Sequence, residues 1–139
     1  SSGVTPETYL GFGRRDATQM ANKGAPSCDG AVCEFTTVET LEKNRYALGG
    51  TWQTDQDSIE SKSPASIRFS VHTKMMYLVA QAKSGTVPVQ VYVDGKMTKT
   101  ISVSGSTLYD VAAFAHVEDH VVELRTENPG LIVFTFTFG

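Results

Sequence analysis

The last nine residues of the chain are Leu131-Ile-Val-Phe-Thr-Phe-Thr-Phe-Gly139. Every second residue from 132 to 138 is large and apolar: Ile132, Phe134, Phe136 and Phe138. A period of two places these side chains on one face of a β-strand. β-Branched and aromatic residues also suit the pleated, half-buried surface of a sheet. We therefore predict a strand whose Ile and Phe side chains cover the core.

This strand is predicted to lie inside a sheet and not at its edge. An exposed strand that is apolar, uncharged and free of proline would promote aggregation. Burying its four large side chains is worth about 6–12 kcal/mol before the entropic cost. We expect that the domain cannot fold without residues 131–139. The alternate residues Thr135 and Thr137 are expected on the side of the polar face defined below.

Length and composition indicate one globular domain. The chain has 139 residues, of which 40% are hydrophobic and 19% are charged. A net charge of −3 argues against a nucleic-acid partner. No apolar run approaches the roughly 18 residues of a membrane helix, so direct membrane insertion is not expected. We interpret residues 1–4 as a linker or cloning remnant and residues 5–139 as the domain.

The segment after the linker contains a helix-start signal. Thr5 is a suitable N-cap, Pro6 suits the first helical position, and Glu7 suits the positive end of the helix dipole. Gly11 and Gly13 would end such a helix early. We therefore predict one short N-terminal helix.

Strand patterns fill the rest of the chain. The clearest are residues 46–52, 65–72, 75–82, 88–94, 97–103, 120–125 and 131–139. Residues 35–38 and 58–61 are weaker candidates, and residues 108–114 fit either a strand or a helical turn. Turns are predicted at residues 72–74, at Asp94-Gly95 and at Asn128-Pro129-Gly130, and a bulge is predicted at Gly49-Gly50.

This pattern of short strands and regular turns predicts an all-β fold. We expect a jelly-roll β-sandwich of about eight strands, of the galactose-binding-domain type, preceded by the short helix.

Two cysteines, Cys28 and Cys33, flank an Asp-Gly turn signal. The favoured interpretation is a small structural disulfide that pins a surface loop, which would indicate an oxidising compartment. The alternative is a redox pair, although redox centres of the thioredoxin type use Cys-x-x-Cys at a helix N-terminus.

No catalytic motif, cofactor motif or metal-ligand spacing stands out. His116-Val-Glu-Asp-His120 is the nearest approach to a metal cluster, but the flanking strands favour a solvated loop there. We therefore predict no catalytic residue, no metal and no cofactor.

One constellation of side chains suggests ligand binding. The outward positions of the middle strands carry Arg68, Gln81, Gln90, Tyr92, Glu123 and Arg125. Planar polar groups beside an aromatic ring suit a sugar, whose hydroxyls need hydrogen bonds and whose apolar face needs a platform. An ordinary solvated outer face is the alternative. Trp52 is a further candidate platform, or else a core anchor.

Several segments, in this order, resemble one family. They are Thr5-Pro6-Glu7-Thr8-Tyr9-Leu10-Gly11, Tyr46-Ala-Leu-Gly-Gly-Thr-Trp52, Val91-Tyr-Val-Asp-Gly95, Leu108-Tyr109 and Phe134-Thr-Phe-Thr-Phe-Gly139. The chain resembles the C-terminal domain of DipZ/DsbD-type thiol:disulfide interchange proteins, which are related to cytochrome c biogenesis proteins. In that family a membrane domain and a thioredoxin-like domain precede a jelly roll that is similar to carbohydrate-binding modules.

The resemblance implies an accessory domain in the periplasm or another extracytoplasmic space, attached to a membrane-anchored parent protein. It implies that the redox cysteines of the parent lie upstream, and it assigns no role to Cys28 or Cys33. Three hypotheses follow. The domain binds a glycan; or it is a structural module that docks on the upstream thioredoxin-like domain or its substrate; or Cys28 and Cys33 are themselves a redox pair.

Overall fold

The computed structural model of the protein describes residues 3–139, so Ser1 and Ser2 of the predicted linker lie outside the described residues. Eight strands form within that range: β1 Thr8–Tyr9, β2 Val32–Phe35, β3 Tyr46–Thr54, β4 Ile59–Ala82, β5 Val87–Val93, β6 Lys96–Val103, β7 Thr107–Thr126 and β8 Leu131–Phe138. One turn of 3-10 helix covers Ala25–Cys28. The predicted all-β sandwich is confirmed. None of the helical structure in the described part of the chain could cross a membrane.

Two long strands, β4 and β7, build both layers of the sandwich. In the first layer, β4 residues 65–73 lie between β3 and β7 residues 118–126, and β5 and β6 continue beyond β7. In the second layer, β4 residues 76–82 lie between β8 and β7 residues 107–112. Phe69 of the first layer meets Phe136 and Phe138 of the second edge to face, with ring centroids 5.5 Å apart in both pairs. The apolar core lies between the layers.

The turn predicted at residues 72–74 is wrong, because β4 continues through it. The buried Thr73 hydroxyl donates hydrogen bonds to the carbonyl oxygens of Met75 and Gly139, at 2.8 and 2.9 Å. Pairing with β7 shifts between Thr73 and Met75. Such an irregularity bends a strand, and here it takes β4 from one layer to the other. The sequence signal at Lys74 therefore marks a bend and not a chain reversal.

Other element boundaries changed for the same reason. Residues 58–61, predicted as a separate edge strand, include the start of β4. Residues 108–114 are strand, and the loop predicted at residues 116–120 is also part of β7. Asp94-Gly95 forms the predicted two-residue hairpin turn, in which both residues have positive φ angles of 51° and 84°.

The prediction of an N-terminal helix is also wrong, because β8 offers hydrogen-bonding partners to this segment. Thr8 pairs with Phe136 and Tyr9 with Thr135, which makes β1 an added strand on β8. The backbone amide of Leu10 continues this contact by donating to the carbonyl of Phe134 at 3.0 Å. A helix of one turn is marginal in isolation, so pairing with β8 overrides the local helix-start signal.

β8 has partners along both edges, as predicted for a strand inside the sheet. Along one edge, residues 131–138 pair with β4 residues 76–82. Along the other edge, Val133 and Ile132 pair with Ile59 and Glu60 at the start of β4, and β1 follows.

The predicted burial of β8 is correct for its second half and wrong for its first. Phe136 is buried and Phe138 packs against the core, but Ile132 and Phe134 lie on the outer face. Val79 pairs with Thr135 while the next residue, Ala80, pairs with Val133, so Phe134 is an extra, bulged residue. One extra residue reverses the alternation, and Leu131 and Val133 occupy the core instead.

The position of β8 in the second layer explains where the two threonines lie. Thr135 and Thr137 pair with the outward residues Val79 and Tyr77 of the second layer. They therefore lie on the opposite side of the sandwich from the polar face, and the prediction that placed them beside it is wrong.

The bulge predicts different costs for two neighbouring substitutions. Phe136→Ala should lower the free energy of unfolding by about 3–5 kcal/mol, because it leaves a cavity in the core. Phe134→Ala should cost clearly less, because its ring is half-buried on the outer face. Urea unfolding of both variants measures the difference. Equal losses would mean that strict alternation holds along β8 and that the bulge is absent.

Candidate functional site

Five of the predicted site residues come together on the outer face of the first layer. Arg68 lies on β4, Glu123 and Arg125 on β7, and Gln90 and Tyr92 on β5. The strand register sets Glu123 between Arg68 and Tyr92, and Arg125 beside Gln90. Their neighbours Ile67, Val91 and Leu124 are buried, so the alternation along these strands turns the polar side chains outwards. We call these five residues the polar face.

Glu123 joins the two arginines of the polar face. One carboxylate oxygen accepts a hydrogen bond from Arg68 Nη1 at 3.0 Å, and the other accepts from Arg125 Nε at 2.6 Å. Only 15% of the Glu123 side chain is exposed. The hydrogen bond that Arg125 donates to Glu123 raises the pKa of Arg125, so its guanidinium stays charged. Charge-assisted bonds of this kind hold the two guanidinium groups in fixed positions.

Arg125 also covers the aromatic ring of the polar face. Its guanidinium carbon lies 3.9 Å from the centroid of the Tyr92 ring, in a cation–π contact. This ring face is therefore not bare, as the sequence suggested, but is topped by a guanidinium plane. The Arg125 side chain remains 48% exposed. A ligand arriving here would meet a flat guanidinium group and not an open ring.

Arg68 has a different environment from Arg125. Its Nε and Nη2 atoms donate to the backbone carbonyl of Glu39 at 3.2 and 3.1 Å, and Nη1 donates to Glu123. Each of its three nitrogens already has a protein acceptor. Arg68 therefore fastens the loop around Glu39 to the sheet and has less capacity than Arg125 to bind a ligand.

A shallow groove of about 250 Å³ runs beside Glu123 and Arg125. The other residues that line it are Gly49, Gly50, Pro64, Ala65, Ser66 and Glu127. A Cβ atom on Gly49 would collide with the hydroxyl of Ser66 and crowd Thr37. The sequence indicates only a bulge at the glycine pair, but in the structure the two glycines also line this groove.

Trp52 and Gln81 do not take part in the polar face. Trp52 is 1% exposed, and its indole nitrogen donates to the carbonyl of Gly49 at 3.0 Å. It is a core anchor, and its ring cannot serve as an external platform. Gln81 lies in the second layer, where it pairs with Ile132. It is therefore separated from the other polar residues by the thickness of the sandwich.

Cys28 and Cys33 are joined by a disulfide, with their Cα atoms 6.0 Å apart. Further contacts hold the same loop. Arg15 Nη2 contacts the carboxylate of Asp29 at 3.0 Å, and the Thr54 hydroxyl donates to the carbonyl of Cys28 at 2.6 Å. A cavity of about 540 Å³ adjoins this loop, with Lys23, Glu34 and Phe35 in its wall. The bridge thus belongs to a loop that is also tied to the sandwich by polar contacts.

His120 forms a clamp at one end of the sandwich. Its Nδ1 lies 2.6 Å from Asp94 and its Nε2 lies 2.7 Å from Glu118, while Phe114 stacks on the ring with centroids 3.9 Å apart. Both ring nitrogens face carboxylates, which suits the doubly protonated imidazolium. The clamp links the β5–β6 turn to β7. Across residues 3–139, no group of His, Cys, Asp and Glu side chains is arranged to hold a metal ion.

The environment of His120 makes its protonation part of the stability of the fold. Burial lowers the pKa of His120, but its hydrogen bonds to the carboxylates of Asp94 and Glu118 outweigh burial and raise the pKa above its ordinary value. A raised pKa in the folded state favours folding while the ring is protonated. This contribution is complete below the unfolded pKa of about 6.5 and is lost as the pH rises through the folded value.

We expect the free energy of unfolding to fall as the pH rises above about 6.5 and through the raised pKa of His120, and we expect His120→Gln to flatten this slope. Urea unfolding at a series of pH values measures it. His116→Gln is the matched control, because His116 is an exposed histidine on the same strand and does not belong to the clamp. An unchanged slope in the His120 variant would show that the clamp does not titrate in this range.

Comparison with known proteins now identifies the family. The family described as "Thioredoxin like C-terminal domain" matches residues 5–139. The chain belongs to this family. The resemblance that the sequence segments suggested is confirmed at this level. A comparison with curated proteins found no match.

Solved structures with the same fold include two carbohydrate esterases. A family two carbohydrate esterase from Cellvibrio japonicus aligns with a TM-score of 0.61 and 17% identity, over 67% of this chain and 30% of the esterase. A family two carbohydrate esterase from Clostridium thermocellum, in complex with cellohexaose, aligns with a TM-score of 0.54 and 16% identity, over 61% and 28%. The thioredoxin-like C-terminal domain thus spans under a third of either esterase, and at this identity the likeness shows the fold alone.

Proposed function

We propose that the domain is a non-catalytic, glycan-binding accessory module of a thiol:disulfide interchange protein. The family match and the sandwich fold support an accessory domain of the carbohydrate-binding type. A fold does not establish a function, so the argument for a glycan rests on the polar face. The thioredoxin-like domain of the parent would carry out the redox chemistry, and this module would hold that domain near a glycan.

The observation that carries the proposal is the fixed position of Arg125. Its Nε donates to Glu123 and its guanidinium plane lies over Tyr92. The guanidinium group is therefore held in place, and its two Nη atoms remain as donors for a ligand. Gln90 lies directly beside it in the strand register. A guanidinium held in this way can bind a sugar hydroxyl with little loss of conformational freedom, and the Gln90 amide beside it offers a second donor. The groove along Glu123 and Glu127 provides further acceptors.

The disulfide supports a location outside the cytoplasm. Cysteines in reducing compartments rarely stay paired, whereas Cys28 and Cys33 are bridged in an external loop. We therefore place the module in the periplasm or another extracytoplasmic space, attached to a membrane-anchored parent. The glycan ligand available to such a module is cell-wall or surface polysaccharide.

A docking role is the second candidate, and one observation favours it. On the outer face of the second layer, Val79 pairs with Leu108, and Tyr77 lies two residues before Val79. Leu108 is 50% exposed. An apolar outer face of this kind can contact another domain. Adding the separate thioredoxin-like domain of the parent should then shift the amide signals of Tyr77, Val79 and Leu108, whereas a glycan should not.

The glycan proposal predicts that Arg125→Ala weakens binding of oligosaccharides at least about tenfold, equivalent to 1.4 kcal/mol. Titration of cellohexaose and of muropeptide-derived glycan strands, followed by amide shifts, measures this. Lys74→Ala is the control, because Lys74 is an exposed cation at the bend of β4 and lies outside the polar face. If no glycan shifts the signals of Gln90, Tyr92 or Arg125, the polar face is an ordinary solvated surface.

A further inference from the structure

A cleft of about 200 Å³ lies on the opposite side of the sandwich from the polar face. It is bounded by β1, by the loop that joins β3 to β4, and by the bulge of β8. Its side chains are Tyr9, Arg14, Gln56, Asp57, Phe134 and Thr135. We propose that this cleft binds one neutral sugar ring. The proposal shares the ligand class of the proposed function but rests on different residues.

Phe134 is in the cleft only because β8 is bulged. Strict alternation would bury its ring in the core, whereas the register shift between Val79 and Ala80 turns it out beside Thr135. β-Bulges are frequent next to binding sites, where they re-aim a side chain. Leu131, Val133 and Phe136 are the residues of this strand that fill the core. The core therefore does not need the ring of Phe134, which is free to serve the cleft.

The walls of the cleft are held by backbone hydrogen bonds. Leu10 donates to the carbonyl of Phe134 at 3.0 Å, and Phe12 and Gly13 donate to the carbonyls of Asp55 and Gln56 at 3.0 and 2.9 Å. A Cβ atom on Gly11 would overlap the backbone of Asp57, so these two segments are in close contact. The cleft therefore exists before any ligand arrives, which reduces the entropic cost of binding.

The side chain of Tyr9 is held in a fixed orientation at the cleft. Its hydroxyl donates to Glu7 at 2.7 Å, and the guanidinium carbon of Arg14 lies 3.8 Å from its ring centroid. Tyr9 pairs with Thr135 across β1 and β8, so its position relative to the bulge is set by the sheet. Two aromatic rings, Tyr9 and Phe134, thus border the same small space.

The polar groups select the chemistry of the ligand. Asp57 offers a carboxylate acceptor, Arg14 a guanidinium donor, Gln56 an amide and Thr135 a hydroxyl. A ring with an apolar face and several hydroxyls can contact the aromatic side chain and use both donors and acceptors. One cation and one anion flank the cleft, so a neutral sugar is favoured over a phosphate or a carboxylate. The volume is below the roughly 300 Å³ of sites for larger ligands, which limits it to a single ring.

The test is a titration of the intact domain with N-acetylglucosamine, glucose and cellobiose, followed by amide chemical shifts. We expect saturable shifts of Tyr9, Asp57 and Thr135. Phe134→Ala and Asp57→Ala should each weaken binding at least about tenfold. Ile132→Ala is the matched control, because Ile132 is also half-buried on the outer face of β8 but is not part of the cleft. If Phe134→Ala prevents folding, the Asp57 variant still decides.

The outcome separates this site from the polar face. Shifts at Tyr9 and Thr135 that persist in Arg125→Ala but disappear in Phe134→Ala support the cleft, whatever happens at the polar face. Shifts confined to Gln90, Tyr92 and Arg125 would support the proposed function and overturn the cleft. Binding that is unchanged in both Phe134→Ala and Asp57→Ala would also overturn it, and so would the absence of any shift with all three sugars.

Discussion

The pairing of β8 along both of its edges is the constraint on which this sandwich depends. One edge is hydrogen-bonded to the second half of β4, and the other meets the first residues of β4 and then β1. The start and the end of β4 thus lie on opposite sides of β8, and both are hydrogen-bonded to it. The carbonyl of Gly139 also accepts a hydrogen bond from the buried hydroxyl of Thr73, at the point where β4 passes from one layer to the other. The last residues of the chain therefore fasten the bend of its longest strand.

This arrangement produces two outer faces with different chemistry. In the first layer, regular alternation along β4, β5 and β7 brings Arg68, Glu123, Arg125, Tyr92 and Gln90 together. In the second layer, the bulge at Phe134 places an aromatic ring outside, next to β1. The faces are independent because the core lies between them. A module with two such surfaces could contact a glycan on one side and either a second sugar or a neighbouring domain on the other.

The polar face was predictable because its strands keep a strict period of two. Val89 and Val91 point inwards, so Gln90 and Tyr92 must point outwards, and the same holds around Arg68 and Glu123. Its internal bonding was not predictable. Whether a guanidinium covers the Tyr92 ring, or whether Arg68 binds the carbonyl of Glu39, depends on contacts between residues far apart in sequence. In the proposed function, these contacts make Arg125 and not the bare ring the main group that contacts a ligand.

The wrong predictions about the fold have a common physical origin. A bulge adds one residue to a strand and reverses the alternation of side chains across it, here for the residues that precede Phe134. Nothing in the local composition around Phe134 marks the bulge. The helix-start signal at Thr5 and the turn signal at Lys74 are real local preferences. Both local preferences are overridden by hydrogen bonds with residues distant in sequence. These partners lie in β8 for the first signal and at Gly139 for the second. The Asp94-Gly95 turn was predicted correctly because both residues there have positive φ angles, a local requirement.

Amide hydrogen exchange along β8 measures whether both of its edges are paired. In an edge strand, every second amide points to solvent and exchanges fast, whereas a strand with partners on both sides protects consecutive amides. The two-sided pairing predicts slow exchange at both Ile132 and Val133, and again at both Thr135 and Phe136, at rates close to those of global unfolding. Protection of only one amide in each of these pairs would show that β8 lies at an edge of the sheet and that the two-sided pairing is absent.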